Sequence, residues 1–258
     1  MTSAPSVLGR CAIVGNGRVG RALATTLRGF DGPFDRGFDG RGYDVVVLAV
    51  PDTAIQRAAA SLAVGPVVGH CSGALGLDVL APHECFGLHP LMAVTHAGAE
   101  FRGAGAALAS SSSRALDVAR TIANELGLVT VEIADEDRVA YHAAAAIASN
   151  FLVTLEDMAE QLLTTTGASR DMLVPLVRAS VENWATLGGE QALTGPIARG
   201  DGEIVARHRR VIEERAPQFV ALFDALVERT RSLASRAAKT DHRPPDEAER
   251  SRNEDPSV

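Results

Sequence analysis

Cysteine, long apolar runs and positive charge are all scarce in this chain, and each scarcity excludes something. Three cysteines (Cys11, Cys71 and Cys85) are an odd, widely spaced set. They fit neither a disulfide framework nor a zinc site and read as reduced thiols of a cytoplasmic protein. No window approaches the ~18 consecutive apolar residues that a bilayer-spanning helix needs. The N-terminus also lacks the basic stretch and apolar core of a secretory signal. A formal net charge of −7 disfavours nucleic acid and anionic membrane as partners. What remains is ordinary soluble material: 258 residues, 46% hydrophobic and 22% charged, enough for one large domain or two modest ones.

The most informative stretch lies near the start. Cys11 to Val14 is short, apolar and rich in β-branched residues, which predicts a buried strand. Gly15, Gly17 and Gly20 then spell Gly-x-Gly-x-x-Gly, with Val19, Leu23 and Leu27 at helical spacing behind them. A tight strand-to-helix turn suits Gly15, backbone approach to a pyrophosphate suits Gly17, and close helix–strand packing suits Gly20. The free N–H groups of the helix start would face the anion. Gly15, Asn16, Gly17, Arg18, Val19 and Gly20 are therefore the candidate pyrophosphate cradle of a dinucleotide. A purely structural turn is the alternative.

After the first helix, Gly-Phe-Asp-Gly occurs at 29–32 and again at 37–40. Only seven residues separate Arg36 from Asp44, whereas a parallel crossover with a helix takes a dozen or more. The second crossover helix of a full dinucleotide fold is missing. Asp35 stands where an acidic residue would bind a ribose hydroxyl, and Arg36 beside it could meet a 2′-phosphate. Both also read as solvated loop residues.

Further strands are expected at 44–50, 66–69, 85–88, 104–109 and 128–133, the last alternating with Val129, Val131 and Ile133 on one face. Helices fall between them, one capped by Asp52 and one over 113–126. This alternation predicts an open parallel sheet covered on both sides. From Asp135 the pattern turns all-helical, with one long helix running to Thr166 and others over 169–187, 202–215 and 217–234. The expected organisation is a truncated Rossmann-type α/β domain over 1–134, a helical domain over 135–235 and a disordered tail over 236–258.

Two histidine-bearing strand ends, His70 with Ser72 and His89, could face one crevice, since sites in such sheets form beyond the carboxyl ends of the strands. No local ligand spacing makes these histidines a metal set, so no metal is expected. His83, His96 and His208 read as surface or loop residues, and Trp184 as core. On the long helix, His142 and Ser149 are seven residues apart and so nearly share a face, with Asn150 ~80° round. An imidazole ordinarily titrates near neutrality and can protonate a carbonyl oxygen as hydride reaches carbon. Ser149 and Asn150 could orient that substrate. A core histidine in an alanine-rich seam is the alternative. Arg199 offers a planar guanidinium to a carboxylate, or equally ties its loop to a neighbouring acid.

An α/β part followed by a long helix and helical bundle resembles the 6-phosphogluconate-dehydrogenase-like reductases. Ketopantoate reductase, pyrroline-carboxylate reductase and prephenate dehydrogenase belong there. Tyr141-His-Ala-Ala-Ala-Ala-Ile-Ala-Ser-Asn150 and Leu193-Thr-Gly-Pro-Ile-Ala-Arg-Gly-Asp201 are similar to a family of Rossmann-like oxidoreductases with a characteristic helical C-terminal domain. Gly69-His-Cys-Ser-Gly73 and Gly87-Leu-His-Pro90 fit its pattern, and His89-Pro90 is similar to the His-Pro element of prephenate dehydrogenases. The resemblance covers about residues 8–235. It implies NADP or NAD as cofactor, with the nicotinamide near Ala49, Val50, Pro51 and Ser72. It also implies a small carboxylated carbonyl or hydroxy substrate, such as the 2-oxo acid ketopantoate, and catalytic roles for His142, Ser149, Asn150 and Arg199. The lysine acid of ketopantoate reductases has no equivalent, because the chain's only lysine is Lys239. The missing crossover, which should hold the adenosine half, leaves a rival open: a non-catalytic ligand-binding or scaffold protein. An apolar face with Ile147, Phe151, Leu152, Leu155, Met158 and Leu162 predicts a homodimer through the helical part.

Overall fold

The computed structural model describes residues 8–35, 37–95 and 98–241. Arg36, His96 and residues 242–258 of the expected tail lie outside them. The chain forms two compact units, residues 1–151 and 152–258.

The first unit is built on a seven-stranded sheet of order β2-β1-β3-β4-β5-β6-β7. The strands are β1 (Cys11–Val14), β2 (Phe30–Phe34), β3 (Val45–Leu48), β4 (Val67–His70), β5 (Cys85–Leu91), β6 (Gly105–Ser110) and β7 (Val129–Glu132). Strands β1, β3 and β4 are almost wholly apolar because both faces are covered. Helices α1 (Arg18–Thr26) and α3 (Ser113–Leu126) pack with one face, where Leu23, Leu27, Phe86 and Ile122 are buried. Helix α2 (Asp52–Ala60) covers the other through Ile55 and Ala59. Ser112 caps α3 by accepting from the Ala115 N–H, and Gly127 ends it in the left-handed region.

The sheet is mostly, not wholly, parallel. β6 runs antiparallel to β5, and among the described residues between them there is no crossover helix. β7 forms the far edge, and the alternation there marks no buried face: Val129 is 67% and Val131 54% exposed. The truncated second crossover is confirmed, since among the described residues between β2 and β3 there is no helix. An aromatic cluster takes the missing helix's place. Phe34 stacks on Phe38 at 4.2 Å, Tyr43 meets both edge-on, and all three pack on the face holding Val14, Val46 and Leu48. His83, expected at the surface, is buried, with Nε2 3.0 Å from the Ala59 carbonyl oxygen.

The long helix expected from 135 to 166 is interrupted. After a 3-10 turn at Asp135–Asp137, α4 (Arg138–Ala146) passes into a π-helical turn at Ile147–Phe151, where the first unit ends. Wide turns of this kind recur at functional positions.

In the second unit, α5 (Leu152–Thr164), α6 (Val174–Ala192), α7 (Gly202–Arg215) and α8 (Val220–Asp241) follow. Pro175 sits in the first turn of α6, where it costs no hydrogen bond. Gly188 breaks α6 with φ 75°, one residue after the expected end. Neither α5 nor α6 contains a buried residue, and Trp184 is 62% exposed rather than core. Helix α8 continues to Asp241, past the expected tail start at Arg236.

Candidate functional site

Two adjoining features occupy the carboxyl ends of the strands. The first is the glycine turn. Gly15 has φ +114°, a conformation side-chain-bearing residues rarely adopt, and its N–H donates to the Phe34 carbonyl oxygen at 2.8 Å. A Cβ on Gly20 would run into the Gly15 carbonyl oxygen, so the close approach of α1 to β1 requires glycine. A Cβ on Gly17 would meet nothing within 4 Å. That open space, at the N-cap of a helix with no side-chain cap, is the cradle expected for an anion.

Beside it lies a cavity of about 390 Å³ lined by Gly15, Asn16, Gly17, Asp35, Val50 and Arg57, among others. Ala49 and Pro51 also line it, so most of the predicted cofactor residues share one wall. Arg18 is exposed on the first turn of α1, Val19 packs against the core, and neither lines the cavity. Phe38 and Arg57 are lining residues that the sequence reading missed; their signal was the repeated Gly-Phe-Asp-Gly and the face of α2 shared with Ala54 and Ala58. The residues present fit a dinucleotide: an open glycine cradle at a helix start continues into a half-apolar cavity with one carboxylate and one guanidinium.

The second feature is a histidine cluster where β4 and β5 end against α4. His70 is fully buried, its Nδ1 accepting from the Ser72 N–H at 3.2 Å. Its Nε2 therefore carries the proton and donates to the Gly76 carbonyl oxygen at 3.2 Å. Burial pushes its pKa down, opposed by that backbone bond. Both nitrogens are engaged, so His70 is a structural histidine. Ser72 is equally committed. Its Oγ donates to Asp52 Oδ2 at 2.9 Å and accepts from the N–H groups of Ala74 and Leu75 at 3.2 and 3.1 Å. One proton and two lone pairs are thereby used. Ser72 ties the β4 turn to the start of α2, and Asp52 holds Ser72 instead of capping its helix.

His89 and His142 face each other over Gly73, ring centres 5.8 Å apart and edge to face. A Cβ on Gly73 would lie 2.7 Å from His142 Cδ2 and 2.9 Å from His89 Nε2, so the two rings close over this turn because it is glycine. The Tyr141 hydroxyl lies 3.4 Å from His89 Nδ1. The same hydroxyl donates to the His89 carbonyl oxygen at 3.5 Å, so Tyr141 holds both the ring and the backbone of His89, with Nε2 above Gly73. Burial, then His142 and Arg138, press the His89 pKa down to about 4, which leaves the ring neutral at physiological pH. Burial pushes the Tyr141 hydroxyl the other way, keeping it a donor.

Arg138 underlies the cluster. It is 1% exposed, its Nε donates to the Leu75 carbonyl oxygen at 2.9 Å, and Asp135 Oδ1 lies 3.5 Å away. Among the described residues its two terminal nitrogens have no hydrogen-bond partner. Gly87 is glycine because a Cβ there would strike the guanidinium. Neither Arg138 nor Tyr141 stood out in the sequence: an arginine in an acidic helix start reads as a surface charge.

Ser149 and Asn150 fall in the π-helical turn and are both exposed. The near-alignment of Ser149 with His142 holds only at 100° per residue, which a π turn does not keep. Arg199, in the second unit, pairs with Asp201: Nε and Nη2 each lie 3.1 Å from Oδ2. This pair is a loop-tying contact on a side chain that is itself exposed. Among the described residues no group of three His, Cys, Asp or Glu side chains is placed to hold a metal.

Residues 105–230 match the family described as Domain of unknown function (DUF2520). No curated protein matches the chain. Among solved structures, protein TM1727 from Thermotoga maritima is 26% identical with a TM-score of 0.74, over 90% of this chain and 100% of that one. BF3122 of Bacteroides fragilis, named as a candidate NADP oxidoreductase, is 18% identical with a TM-score of 0.74, over 86% of this chain and 97% of its own. The reductive aminase of Aspergillus terreus, in complex with NADPH and ethyl levulinate, is 14% identical with a TM-score of 0.66, over 88% and 98%. These likenesses establish a Rossmann-like sheet followed by helices.

Proposed function

We propose that the chain is an NAD(P)-dependent oxidoreductase acting on a small carboxylated carbonyl or hydroxy compound, a 2-oxo acid such as ketopantoate being the leading case. The observation that carries this is the juxtaposition at adjacent strand ends. A glycine cradle with its cavity lies at the ends of β1 and β3, and the His89–His142 pair lies beyond β4 and β5. The Ser72–Asp52 hydrogen bond joins the two features. The likeness to an NADPH-bound reductive aminase and the resemblance to 6-phosphogluconate-dehydrogenase-like reductases support the reading. The cavity speaks against a scaffold that has lost its adenosine pocket.

Gly15, Asn16 and Gly17 would hold the pyrophosphate on backbone N–H groups. Ala49, Val50 and Pro51 would flank the path toward the histidines. The nicotinamide, when bound, supplies or accepts hydride. His142, exposed beside His89, donates the proton that a developing alkoxide needs. Neutral His89 lines the same side of the site, with Tyr141 fixing the ring. Arg138 adds a fixed positive charge beneath the site that favours an anionic substrate. Ser149 and Asn150 are assigned to substrate orientation. We also assign a second copy of the chain to the exposed apolar residues Val153, Leu176 and Trp184 of α5 and α6, which makes a homodimer.

Screening nicotinamide cofactors against 2-oxo acids by thermal shift, followed by cofactor oxidation at 340 nm, tests the activity. Stabilisation by cofactor with turnover of one acid is expected. Stabilisation by no cofactor contradicts it. Light scattering tests the dimer: a mass of twice 27.0 kDa is expected, and 27.0 kDa contradicts it.

A further inference from the structure

Loss of the second crossover helix should leave the adenosine half of a dinucleotide without a wall, yet a wall is present. It is supplied by α2. Ala54, Arg57, Ala58 and Ser61 recur at three- and four-residue spacing, so one stripe of the helix faces the cavity. Three of the four are small and leave room for a flat ring. Phe38, held by its stack on Phe34, supplies an apolar surface in the same cavity. Arg57 is the only cation and Asp35 the only anion among the lining residues. No hydrogen bond or ion pair among the described residues occupies the Arg57 guanidinium.

We propose that Arg57 replaces the lost crossover as the reader of the adenosine end, its guanidinium taking the 2′-phosphate of NADP and so setting a preference over NAD. This rests on the dinucleotide reading above and deepens it. A planar guanidinium matches phosphate with two parallel charge-assisted hydrogen bonds. Asp35 accepts from the ribose hydroxyl that stays free, and the adenine lies in the slot made by Phe38 and the small residues of α2. A phosphate-binding arginine is normally sought just after the second strand, where Arg36 stands. Here the helix that leaves the third strand brings its own.

Calorimetry with four ligands tests this on the full chain: NADPH, NADH, and the fragments 2′,5′-ADP and 5′-AMP, which lack the nicotinamide. Wild type should bind NADPH and 2′,5′-ADP more tightly than their unphosphorylated counterparts. Arg57→Ala should lose about 10- to 100-fold for the two 2′-phosphorylated ligands and change little for the other two. Arg57 is exposed on a helix, and alanine favours helix, so the melting temperature should hold. A variant that weakens all four ligands alike, or none, overturns the assignment to Arg57. So does an Arg36→Ala variant that abolishes the preference while Arg57→Ala keeps it. Wild type that binds none of the four overturns the dinucleotide reading itself.

Discussion

The two units hide their apolar residues to different degrees. In the first, Ile13, Val46, Leu48, Ile55, Val68 and Phe86 are wholly buried, and the central strands are covered by helices or by the aromatic cluster. In the second, α5 and α6 bury nothing fully, and among the described residues only Val205, Ile212, Ala216 and Val227 are buried apolar ones. The first unit closes its own core. The second presents helix faces that leave large apolar residues such as Val153, Leu176 and Trp184 exposed. A helical period thus says which face is apolar; it does not say what covers that face.

Paired truncations give the sharpest contrast in stability. Phe86, wholly buried above Gly69, should cost about 3–5 kcal/mol as Phe86→Ala, read by chemical denaturation. Trp184→Ala, at 62% exposure, should change the stability of the monomer by ~0.5 kcal/mol or less and weaken the dimer instead. Equal losses from both would erase the distinction.

The proposed role of His142 assigns the chemistry to the first unit. His142→Ala should lower turnover by about 10²–10⁴-fold, with cofactor affinity and melting temperature nearly unchanged. His142→Gln should recover part of that loss by keeping a donor. A sharp fall in melting temperature with activity spared would make the residue structural. Tyr141 and neutral His89 would then be the remaining donors, since both nitrogens of His70 are occupied.

Acid sensitivity should also reside in the first unit. The His89 pKa is lowered in the folded protein to about 4, from an unfolded value near 6.5. The unfolded chain therefore binds a proton first as pH falls, and stability is lost progressively between about 6.5 and 4. Buried His70, also lowered, adds in the same direction. His89→Gln should flatten the fall in melting temperature over that window. An unchanged profile would mean that His89 protonates freely in the fold. The smallest effect is expected from Arg199→Ala, whose exposed pair with Asp201 is worth at most ~1 kcal/mol. Turnover should stay near wild type, whereas a large loss would assign Arg199 the carboxylate-gripping role.

Much of the first unit is legible because its signals are local. The strand at Cys11–Val14, its glycine turn, the run at 45–48 and the cap and stop of α3 each follow from neighbours in sequence. The same holds for α7, whose bounds at Gly202 and Arg215 match its apolar and charged pattern. What was not legible depends on distant partners. The reversal of β6 is set by how residues 92–104 return, and Val129 and Val131 alternate like a buried face although β7 lies at an edge. The π turn at 147–151 leaves no mark in an alanine-rich helical sequence, so a seven-residue spacing overstated the alignment of His142 with Ser149. At the site, the glycine cradle and the strand-end histidines could be read directly. Arg138, Arg57 and Tyr141 could not, since their importance comes from burial or from a shared cavity.

The central claim, that the glycine turn still holds a dinucleotide despite the lost crossover, is tested most directly at Gly17. Its absent side chain leaves space open to 4 Å, so Gly17→Asp should fold normally while placing a carboxylate where the pyrophosphate belongs. Calorimetry with NADPH should show submillimolar binding for wild type and none for Gly17→Asp at an unchanged melting temperature. Equal affinity in the two proteins would contradict the claim and leave the turn purely structural.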